Sequence, residues 1–336
     1  MKVAMVTGPG EARVVDVPRP EAGPNDVLVK MRACGICGSD GFYISIGGVP
    51  PRQGETPLGH EPAGEVVEVG AGVINISVGD HVVVNPMAAP SGIVGNGGAH
   101  GALAEYLLVE NAARGTTLEV VPKHIPWEVV ALNEPMAVAR HAVNRTRPKP
   151  SDKVVVFGAG PIGLGATIAY KSLGVSHVVV ADLIPARLDK ALTVGADAVI
   201  NSADEDVAKR LIELHGDGEA LFPGKAGTDT YLDAAGAPAV ITTALTAAKN
   251  GAKLGVVAVH KEPIPVDFIN VMSNEITIVG SMGYPDEIFE VTRDIVANWE
   301  TYAMIVSHTI PFDNVDEALR MAATPGAADK IVVTFT

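Results

Sequence analysis

The sequence predicts an α/β protein that joins a mostly β part to a doubly wound parallel sheet. Up to about residue 125, short runs of valine and leucine are separated by glycine and proline, which is typical of β-strands. From residue 153, strand-like runs alternate with helical runs, and this alternation predicts βαβ units. Hydrophobic residues form 47% of the 336-residue chain, enough for a large core.

The strand-like runs of the first part are short and closely spaced, which favours a small barrel or sandwich. They are VLVKMR (27–32), AGEVVEVG (63–70), GDHVVVNP (79–86) and ALAEYLLV (102–109). A helix is predicted over 126–146, with Pro126 and Pro135 at first-turn positions.

The second part alternates strand and helix as far as Val279. Its predicted strands are KVVVF (153–157), HVVVA (177–181), AVI (198–200), TYLDAAG (230–236) and KLGVVAV (253–259). Helices are predicted over 161–174 and 185–195. The chain closes with helical patterns over 284–300 and 312–323 and a last strand within 329–336.

Charge and composition exclude several classes of partner. The formal net charge is −14 and lysine and arginine do not cluster, so nucleic acid and anionic membranes are disfavoured. The N-terminus lacks an apolar signal core and no apolar run could span a bilayer, which predicts a cytoplasmic protein. Cys34 and Cys37 form a C-x-x-C that fits a redox pair, a metal ligand or a buried thiol.

A glycine motif opens the first helix of the second part. Gly158, Gly160 and Gly163 form G-x-G-x-x-G between a β run and an apolar helix, the context that makes this motif informative. The glycines permit the turn, the approach of a pyrophosphate and close helix–strand packing. The helix start at Pro161 and Ile162 would turn unpaired backbone N–H groups toward the phosphates.

Asp182 ends the next strand, where a ribose-binding acid is expected. Its carboxylate would accept hydrogen bonds from ribose hydroxyls and repel a 2′-phosphate, which favours NAD(H) over NADP(H). Arg187 follows in a predicted helix and either accommodates a phosphate or forms a surface ion pair. A glycine turn without cofactor is the alternative, and the strand, turn, helix and acid together disfavour it.

Four polar side chains of the first part fit one metal site. Cys37, His60, Glu61 and Glu134 are ligand types of a catalytic zinc that keeps an open position. Each has an ordinary alternative: a buried thiol, a hydrogen-bonded core histidine or a solvated carboxylate. Because the His–Glu pair enters a strand beside glycine and Glu134 stands at a predicted helix start, the set together favours a metal.

Four motifs of this chain resemble the zinc-containing medium-chain dehydrogenases: GICGSD (35–40), GHEPAGEVVEVG (59–70), EPMAVARHA (134–142) and VFGAGPIGLG (156–165). Within that superfamily the chain looks most like the sorbitol, 2,3-butanediol and threonine dehydrogenase branch. The resemblance implies a discontinuous GroES-like catalytic domain at 1–142 and 280–336, and a Rossmann NAD-binding domain at 143–279. It also implies a homodimer or homotetramer.

The resemblance implies roles for the metal-site residues. Cys37 and His60 match the first two zinc ligands, and Glu134 matches the third position. Glu61 matches a carboxylate that coordinates the metal in some relatives and steers it in others. Asp40 matches a residue that orients His60.

Two departures from the family pattern affect the predicted chemistry. Ser39 matches the hydroxyl that takes the substrate proton, but Phe42 occupies the position of the histidine that passes this proton outward. Tyr43 matches a substrate-pocket aromatic, with ordinary packing as the alternative. The stretch 85–109 lacks the four cysteines of the family's structural zinc lobe, so one catalytic zinc per chain and no structural zinc is predicted.

Residues after the later strands are predicted to lie near the nicotinamide or the substrate. Ala235, Val259, Ser281 and Met282 are candidate cofactor contacts, and Tyr284 is a candidate for the substrate pocket. An ordinary crossing between domains is the alternative for the last three. The remaining histidines without a partner pattern are interpreted as structural or solvent-exposed: His100, His141, His215 and His260.

The predicted reaction is hydride transfer between NAD and a secondary alcohol, with vicinal diols and polyols as candidates. Zinc would polarise the alcohol oxygen, and the substrate would lie in the cleft between the two domains. A zinc-free quinone or enoyl reductase of the same fold is the first rival. A non-catalytic nucleotide-binding protein with structural zinc and a thiol–disulfide oxidoreductase are further alternatives.

Overall fold

The computed structural model describes residues 1–50, 52–53, 55–324 and 326–336. In chain order the strands are β1 Lys2–Gly8, β2 Glu11–Asp16, β3 Val27–Gly35, β4 Gly48–Val49, β5 Arg52–Gln53, β6 Thr56–Pro57, β7 Glu61–Val69, β8 His81–Val84, β9 Tyr106–Val109, β10 Leu118–Val121, β11 Lys153–Phe157, β12 His177–Asp182, β13 Ala198–Asn201, β14 Thr230–Asp233, β15 Lys253–Val256, β16 Thr277–Gly280, β17 His308–Pro311 and β18 Ile331–Thr334.

The helices lie between these strands and after them. They are α1 Gly38–Ile46, α2 Trp127–Val130, α3 Asn133–Thr146, α4 Pro161–Ser172, α5 Pro185–Thr193, α6 Val207–His215, α7 Pro238–Ala247, α8 Phe268–Ser273, α9 Ile288–Ala297, α10 Trp299–Ala303 and α11 Val315–Ala323. Within the described residues, no helix is both long and apolar enough to cross a lipid bilayer.

The chain divides into two compact units. The first unit is 1–134 with 288–336, and the second is 135–287. Helix α3 belongs to the second unit from Pro135 onward: His141 Nδ1 lies 2.9 Å from Glu287 Oε1, which also accepts a 3.1 Å bond from Asn144 Nδ2. The domain boundaries at 142/143 and 279/280 stay predictions, and the compact units divide at 134/135 and 287/288.

The second unit is built on one parallel sheet. Every residue of this unit is described, and its six strands run in the order β13-β12-β11-β14-β15-β16. The buried valines of β11 and β12 suit a sheet covered on both faces. This is the doubly wound sheet that the sequence predicts, and its strand order changes direction between β11 and β14, where ligands bind in such folds.

The first unit is mostly β, as the sequence predicts. Its main sheet runs β10-β8-β7-β3-β18-β17, with β9 also paired to β3, and a smaller sheet runs β2-β1-β6. The returning strand β18 lies antiparallel to β3, with Val332 opposite Gly35. The end of the chain therefore brings Lys330 beside the turn that follows β3.

The helical segment predicted over 126–146 is two helices in the structure, and the helix start predicted at Glu134 and Pro135 lies in the first turn of the second. Helix α2 ends at Val130 and α3 begins at Asn133. Pro135 explains the break, because its ring has no N–H to donate to the carbonyl of Ala131 and would clash with it in a continuous helix. The break leaves Glu134 in the first turn of α3.

A buried histidine pair lies at the end of α6 in the second unit. His215 is 2% exposed, with Nδ1 2.7 Å from Thr228 Oγ1 and Nε2 3.0 Å from His177 Nδ1. Burial, followed by the charges of His177 and Lys153, lowers the pKa of His215 to about 4. The side chain is therefore neutral in the folded protein at neutral pH, in agreement with the structural role predicted for it.

We expect acid to destabilise the protein partly through His215. The unfolded chain takes up this proton below about pH 6.5, but the folded chain does so only near pH 4, so stability falls as the pH falls between these values. The Tm of the wild type should therefore fall more steeply with falling pH than the Tm of His215→Gln. Each kcal/mol of unfolding free energy lost through this proton uptake lowers the Tm by roughly 2–4 °C. Circular dichroism melts across this range measure it. Exposed His124→Gln is the control, and equal slopes for His215→Gln and wild type would contradict the expectation.

Candidate active site

A thiol, an imidazole and a carboxylate meet where β3 and β7 pair. Cys37 lies at the N-terminus of α1, just after β3, and His60 and Glu61 stand at the start of β7. Gly35 is opposite Glu61 in the antiparallel register, which brings the two segments together. The ligand atoms of Cys37, His60 and Glu61 all lie within 4.8 Å of one another. In the described part of the chain, no other group of His, Cys, Asp and Glu meets this criterion.

Asp40 ties the two segments to each other. It is fully buried, and its Oδ2 accepts a 2.9 Å bond from the Cys37 N–H while its Oδ1 accepts a 3.3 Å bond from the Gly59 N–H. Oδ1 lies 3.6 Å from His60 Nδ1, an ion-pair distance and longer than a hydrogen bond. Asp40 therefore positions His60 through the backbone and through its charge.

The electrostatic field at His60 favours a positive charge. Burial lowers the pKa of His60, but the Asp40 carboxylate and Cys37 outweigh this effect and raise the pKa well above its ordinary value. A field that holds a proton on a buried imidazole would also attract a metal cation.

Lys330 is a residue of this site that the sequence analysis missed. Its ammonium is 3% exposed, donates 2.6 Å to Glu61 Oε1 and 2.9 Å to the carbonyl of Ile36, and also contacts Glu61 Oε2. Burial lowers the pKa of Lys330, but Glu61, Cys37 and Glu134 outweigh it and raise the pKa above its ordinary value. Oε2 of Glu61 forms the ion pair with Lys330 and no hydrogen bond within the described residues, so a bound metal would share this carboxylate with the ammonium.

Glu134 lies close to this group without being part of it. It is 8% exposed in the first turn of α3, and its charge contributes to the raised pKa of Lys330. The tight group of ligand atoms contains Glu61 and not Glu134. The geometry therefore favours Glu61 as the carboxylate ligand. Glu134 adds a negative charge near the ligands.

Ser39 and Tyr43 project from α1 beside His60. Ser39 Oγ lies 3.3 Å from His60 Nε2, and a hydrogen bond joins Ser39 to the half-buried Tyr43. Burial raises the pKa of Tyr43, so its phenol stays protonated at neutral pH. Phe42 is 57% exposed and packs edge-on against Tyr43, with ring centroids 6.2 Å apart.

The glycine motif forms the predicted strand–turn–helix. Gly158 follows β11 with φ +94°, a conformation that favours glycine. Gly163 lies in the first turn of α4, and a Cβ there would stand 1.7 Å from the Gly158 carbonyl oxygen. Gly160 caps α4, which begins at Pro161 and Ile162, so the first helical N–H groups lie next to the turn.

Asp182 is hydrogen-bonded to that turn. Its Oδ2 accepts a 2.7 Å bond from the Ala159 N–H, and its Oδ1 accepts a 2.9 Å bond from the Ile184 N–H. The carboxylate at the end of β12 therefore also holds the glycine turn. Arg187 lies in the first turn of α5, half-buried.

Two domain families match this chain. "Alcohol dehydrogenase GroES-like domain" matches residues 23–119, and "Zinc-binding dehydrogenase" matches residues 161–298. Sorbitol dehydrogenase of Bacillus subtilis is 32% identical over 303 residues, which are 84% of this chain and 82% of that protein. The chain belongs to the zinc-containing medium-chain alcohol dehydrogenase family.

Further relatives agree with this assignment. The (R,R)-butanediol dehydrogenase of Bacillus subtilis is 32% identical over 339 residues, 94% of each chain. The crystal structure of 2R,3R-butanediol dehydrogenase from the same organism superposes with a TM-score of 0.87 at 29% identity, covering 99% of both chains. This dehydrogenase thus resembles the sorbitol and butanediol branch over its whole length, as its motifs predict.

The donor set of this dehydrogenase fits a zinc ion. Cysteine sulfur, imidazole nitrogen and one carboxylate are the ligands of catalytic zinc sites. The Glu61 carboxylate, which is buried and paired with Lys330, supplies the one carboxylate of this set. Cys37, His60 and Glu61 would hold the ion.

The residues predicted near the nicotinamide and substrate have different environments. Val259 is 82% exposed and Met282 88% exposed, and Ala235 is also exposed. Ser281 Oγ is buried and has no hydrogen-bond partner within the fully described second unit. Tyr284 is 4% exposed, and its assignment to the substrate pocket stays a prediction.

Cys34 does not have the features of a redox thiol. It is fully buried in the core of the first unit, and burial raises its pKa, with Asp40 and Glu61 adding to the effect. A reactive cysteine needs an accessible thiolate. The geometry disfavours the thiol–disulfide oxidoreductase.

Proposed function

We propose that this chain is an NAD-linked secondary-alcohol dehydrogenase with one catalytic zinc and that it acts on vicinal diols or polyols. The observation that carries the proposal is the group of half-buried Cys37 with buried His60 and Glu61, and the Ser39 hydroxyl 3.3 Å from His60 Nε2. The relatives named sorbitol dehydrogenase and (R,R)-butanediol dehydrogenase support the diol or polyol substrate.

Some side chains of the site would bind the metal, and others would take up the hydroxyl proton of the substrate. Zinc, when bound, supplies a Lewis acid that makes a coordinated hydroxyl more acidic, and NAD accepts the hydride. Ser39 Oγ takes the hydroxyl proton of the substrate as it releases its own proton to water. Phe42 has no atom that can carry a proton, so this proton passes to water and not to a histidine as in relatives. The hydrogen bond with Tyr43 orients Ser39.

We assign no structural zinc to the stretch 85–109. This segment is attached to the active site by backbone hydrogen bonds, from Ala102 N to Gly59 O (2.8 Å) and from Leu103 N to Leu58 O (3.0 Å). Leu103 is fully buried in the core of the first unit. Backbone pairing and apolar packing thus support the loop that carries His60.

A substrate panel tests the proposal. Zinc-loaded protein is assayed for NADH formation with butane-2,3-diol, sorbitol and propan-2-ol, using NAD and NADP in parallel. We expect oxidation with NAD and a higher kcat/KM for a diol or polyol than for propan-2-ol. Reduction of quinones or enoyl substrates without any alcohol oxidation would replace the proposal with the zinc-free reductase.

Asp182 is expected to determine the cofactor preference. Asp182→Ala should raise the KM for NAD roughly tenfold and change the KM for NADP less, because it removes the ribose acceptor and the repulsion of a 2′-phosphate. Asp182→Asn keeps an acceptor oxygen and should separate the charge from the hydrogen bond. Exposed Asp189→Asn, on α5, is the charge control. An unchanged NAD/NADP ratio in Asp182→Ala would remove Asp182 from the ribose site.

We propose a homodimer that forms through the outer edge of the second unit. Strand β16 is the last strand of the sheet, and an edge strand can pair with another chain. Phe268, Ile269 and Met272 on α8, the segment just before β16, are 72%, 75% and 71% exposed. A second copy would cover this apolar group with its own β16 and α8.

Sedimentation velocity tests this interface. The wild type should sediment as a dimer or as a tetramer made of two dimers, and the double variant Phe268→Glu/Met272→Glu should lose the dimer contact. Ile74→Glu, at an equally exposed apolar position in the first unit (75%), should leave the state unchanged. A monomeric wild type, or a dimer that survives the double substitution, would contradict this interface.

A further inference from the structure

A fully buried carboxylate lies at the carboxyl end of β14. Asp233 is 0% exposed, and its Oδ1 accepts hydrogen bonds from the N–H groups of Ala235 (3.0 Å) and Gly236 (2.9 Å). Its main-chain carbonyl accepts bonds from Val257 N and Ala258 N, both 3.1 Å. One residue therefore contacts the loop after β14 and the loop after β15.

His260 completes this arrangement. Its Nε2 lies 2.6 Å from Asp233 Oδ2, a distance typical of a charge-assisted hydrogen bond. A carboxylate only accepts, so Nε2 carries the hydrogen. Nδ1 is buried and has no hydrogen-bond partner in the second unit, all of whose residues are described. The imidazole is thus held by one strong bond, and that bond fixes the end of the segment 257–260.

The two loops that Asp233 and His260 join are the places where a dinucleotide is expected. Strands β14 and β15 are neighbours in the parallel sheet, and ligands of this fold bind beyond the carboxyl ends of the strands. Val259, just before His260, turns its side chain to solvent and is 82% exposed, although it is apolar. A rigidly held loop that presents an apolar side chain at this edge is suited to pack against a flat ring.

We propose that His260, anchored by Asp233, is a positioning residue for the nicotinamide end of the cofactor. It acts through Val259 and the loop backbone and makes no contact of its own with the reacting atoms. The proposal rests on the proposed function, because it needs a nicotinamide cofactor in this unit. It gives a specific role to His260, which the sequence alone left as structural or solvent-exposed.

The hydrogen-bonding needs of the buried Asp233 carboxylate do not by themselves explain His260. Its two backbone N–H donors already satisfy Oδ1, and a serine, a water or a second N–H group could satisfy Oδ2. A histidine whose other nitrogen remains unsatisfied costs free energy when buried. The arrangement is therefore better explained by what it holds in place than by the stability it adds.

The test compares two ligands that differ only by the nicotinamide. Binding of NADH and of ADP-ribose is measured by calorimetry on the full-length wild type, His260→Leu, His260→Gln and the exposed neighbour Lys261→Ala. Leucine fills similar space without a donor, and glutamine retains an N–H for Asp233. ADP-ribose binding and circular dichroism show that each variant is folded.

We expect His260→Leu to weaken NADH binding about fivefold to tenfold, the effect of one lost charge-assisted hydrogen bond. The Kd for ADP-ribose should stay within about twofold, His260→Gln should recover most of the NADH affinity, and Lys261→Ala should match the wild type. Unchanged NADH affinity in His260→Leu, or an equal loss for both ligands, would overturn the proposal, as would a glutamine variant as weak as the leucine variant. A wild type that binds neither NADH nor NADPH would instead refute the proposed function.

Discussion

His60→Ala is expected to be folded, to retain almost no zinc and to oxidise alcohols roughly a thousandfold less efficiently in kcat/KM, about 4 kcal/mol of transition-state stabilisation. The reason is that His60 supplies one of three ligand atoms within 4.8 Å of one another, and no other such group exists in the described part of the chain. The other two donors should not hold the ion in the open geometry that catalysis needs.

The measurement is zinc per chain by elemental mass spectrometry, paired with kcat/KM on the same samples. Exposed His124→Ala controls for the loss of a histidine and should behave as the wild type. Full zinc occupancy with normal activity in His60→Ala would contradict the site.

Zinc per chain also shows whether Glu61 or Glu134 contributes more to metal binding. Glu61→Gln/Lys330→Met removes a carboxylate together with the cation that pairs with it, and should lose more zinc than Glu134→Gln, because Glu61 and not Glu134 lies in the tight ligand group. Glu134→Gln should lower zinc retention moderately, since the site then has one negative charge fewer. The opposite ranking would make Glu134 the ligand.

Lys330→Met is expected to destabilise the metal-free protein by about 3–5 kcal/mol, the effect of removing one partner of a buried ion pair. Lys330 is 3% exposed and Glu61 1% exposed, so neither charge can regain its water when the other is removed. Methionine keeps most of the volume of lysine, so the loss reflects charge rather than a cavity.

Urea unfolding of the metal-free forms measures this effect, because bound metal would add its own stabilisation. The double variant Glu61→Gln/Lys330→Met should recover most of the loss, since neither charge is then left unpaired. If the double variant is as unstable as the sum of the two single variants, Lys330 and Glu61 do not act as a pair.

The fold could be predicted because its signals are local. Continuous valine runs such as Val154–Val156, each followed by a turn and a helix, indicate a buried parallel strand without any knowledge of distant residues. The start of α3 is marked locally by Pro135, because a proline without an N–H fits the first turn of a helix, and Glu134 lies in that turn.

The three proposed metal ligands could be predicted in the same way. Cys37 and the His60–Glu61 pair stand out as polar residues at strand ends next to glycine. The choice between Glu61 and Glu134 required the register of β3 against β7, which no local pattern supplies.

Lys330 and the Asp233–His260 pair were missed for a common reason. Lys330 reaches Glu61 across 269 positions of the chain, and Asp233 reaches His260 across 27. In the sequence, a lysine before a last strand is typical of a solvated residue, and a lone histidine shows no partner. Buried polar pairs of this kind become visible only when the topology brings strand ends together.

The central claim is that the chain moves hydride with the help of one zinc, and zinc content linked to activity tests it most directly. Protein purified without chelator is analysed for zinc per chain, then treated with chelator and reconstituted, with alcohol-dependent NAD reduction assayed at each stage. We predict about one zinc per chain, with activity that is lost on chelation and returns with zinc. Folded protein that carries no zinc but oxidises alcohols, or that keeps full activity after chelation, would contradict the account.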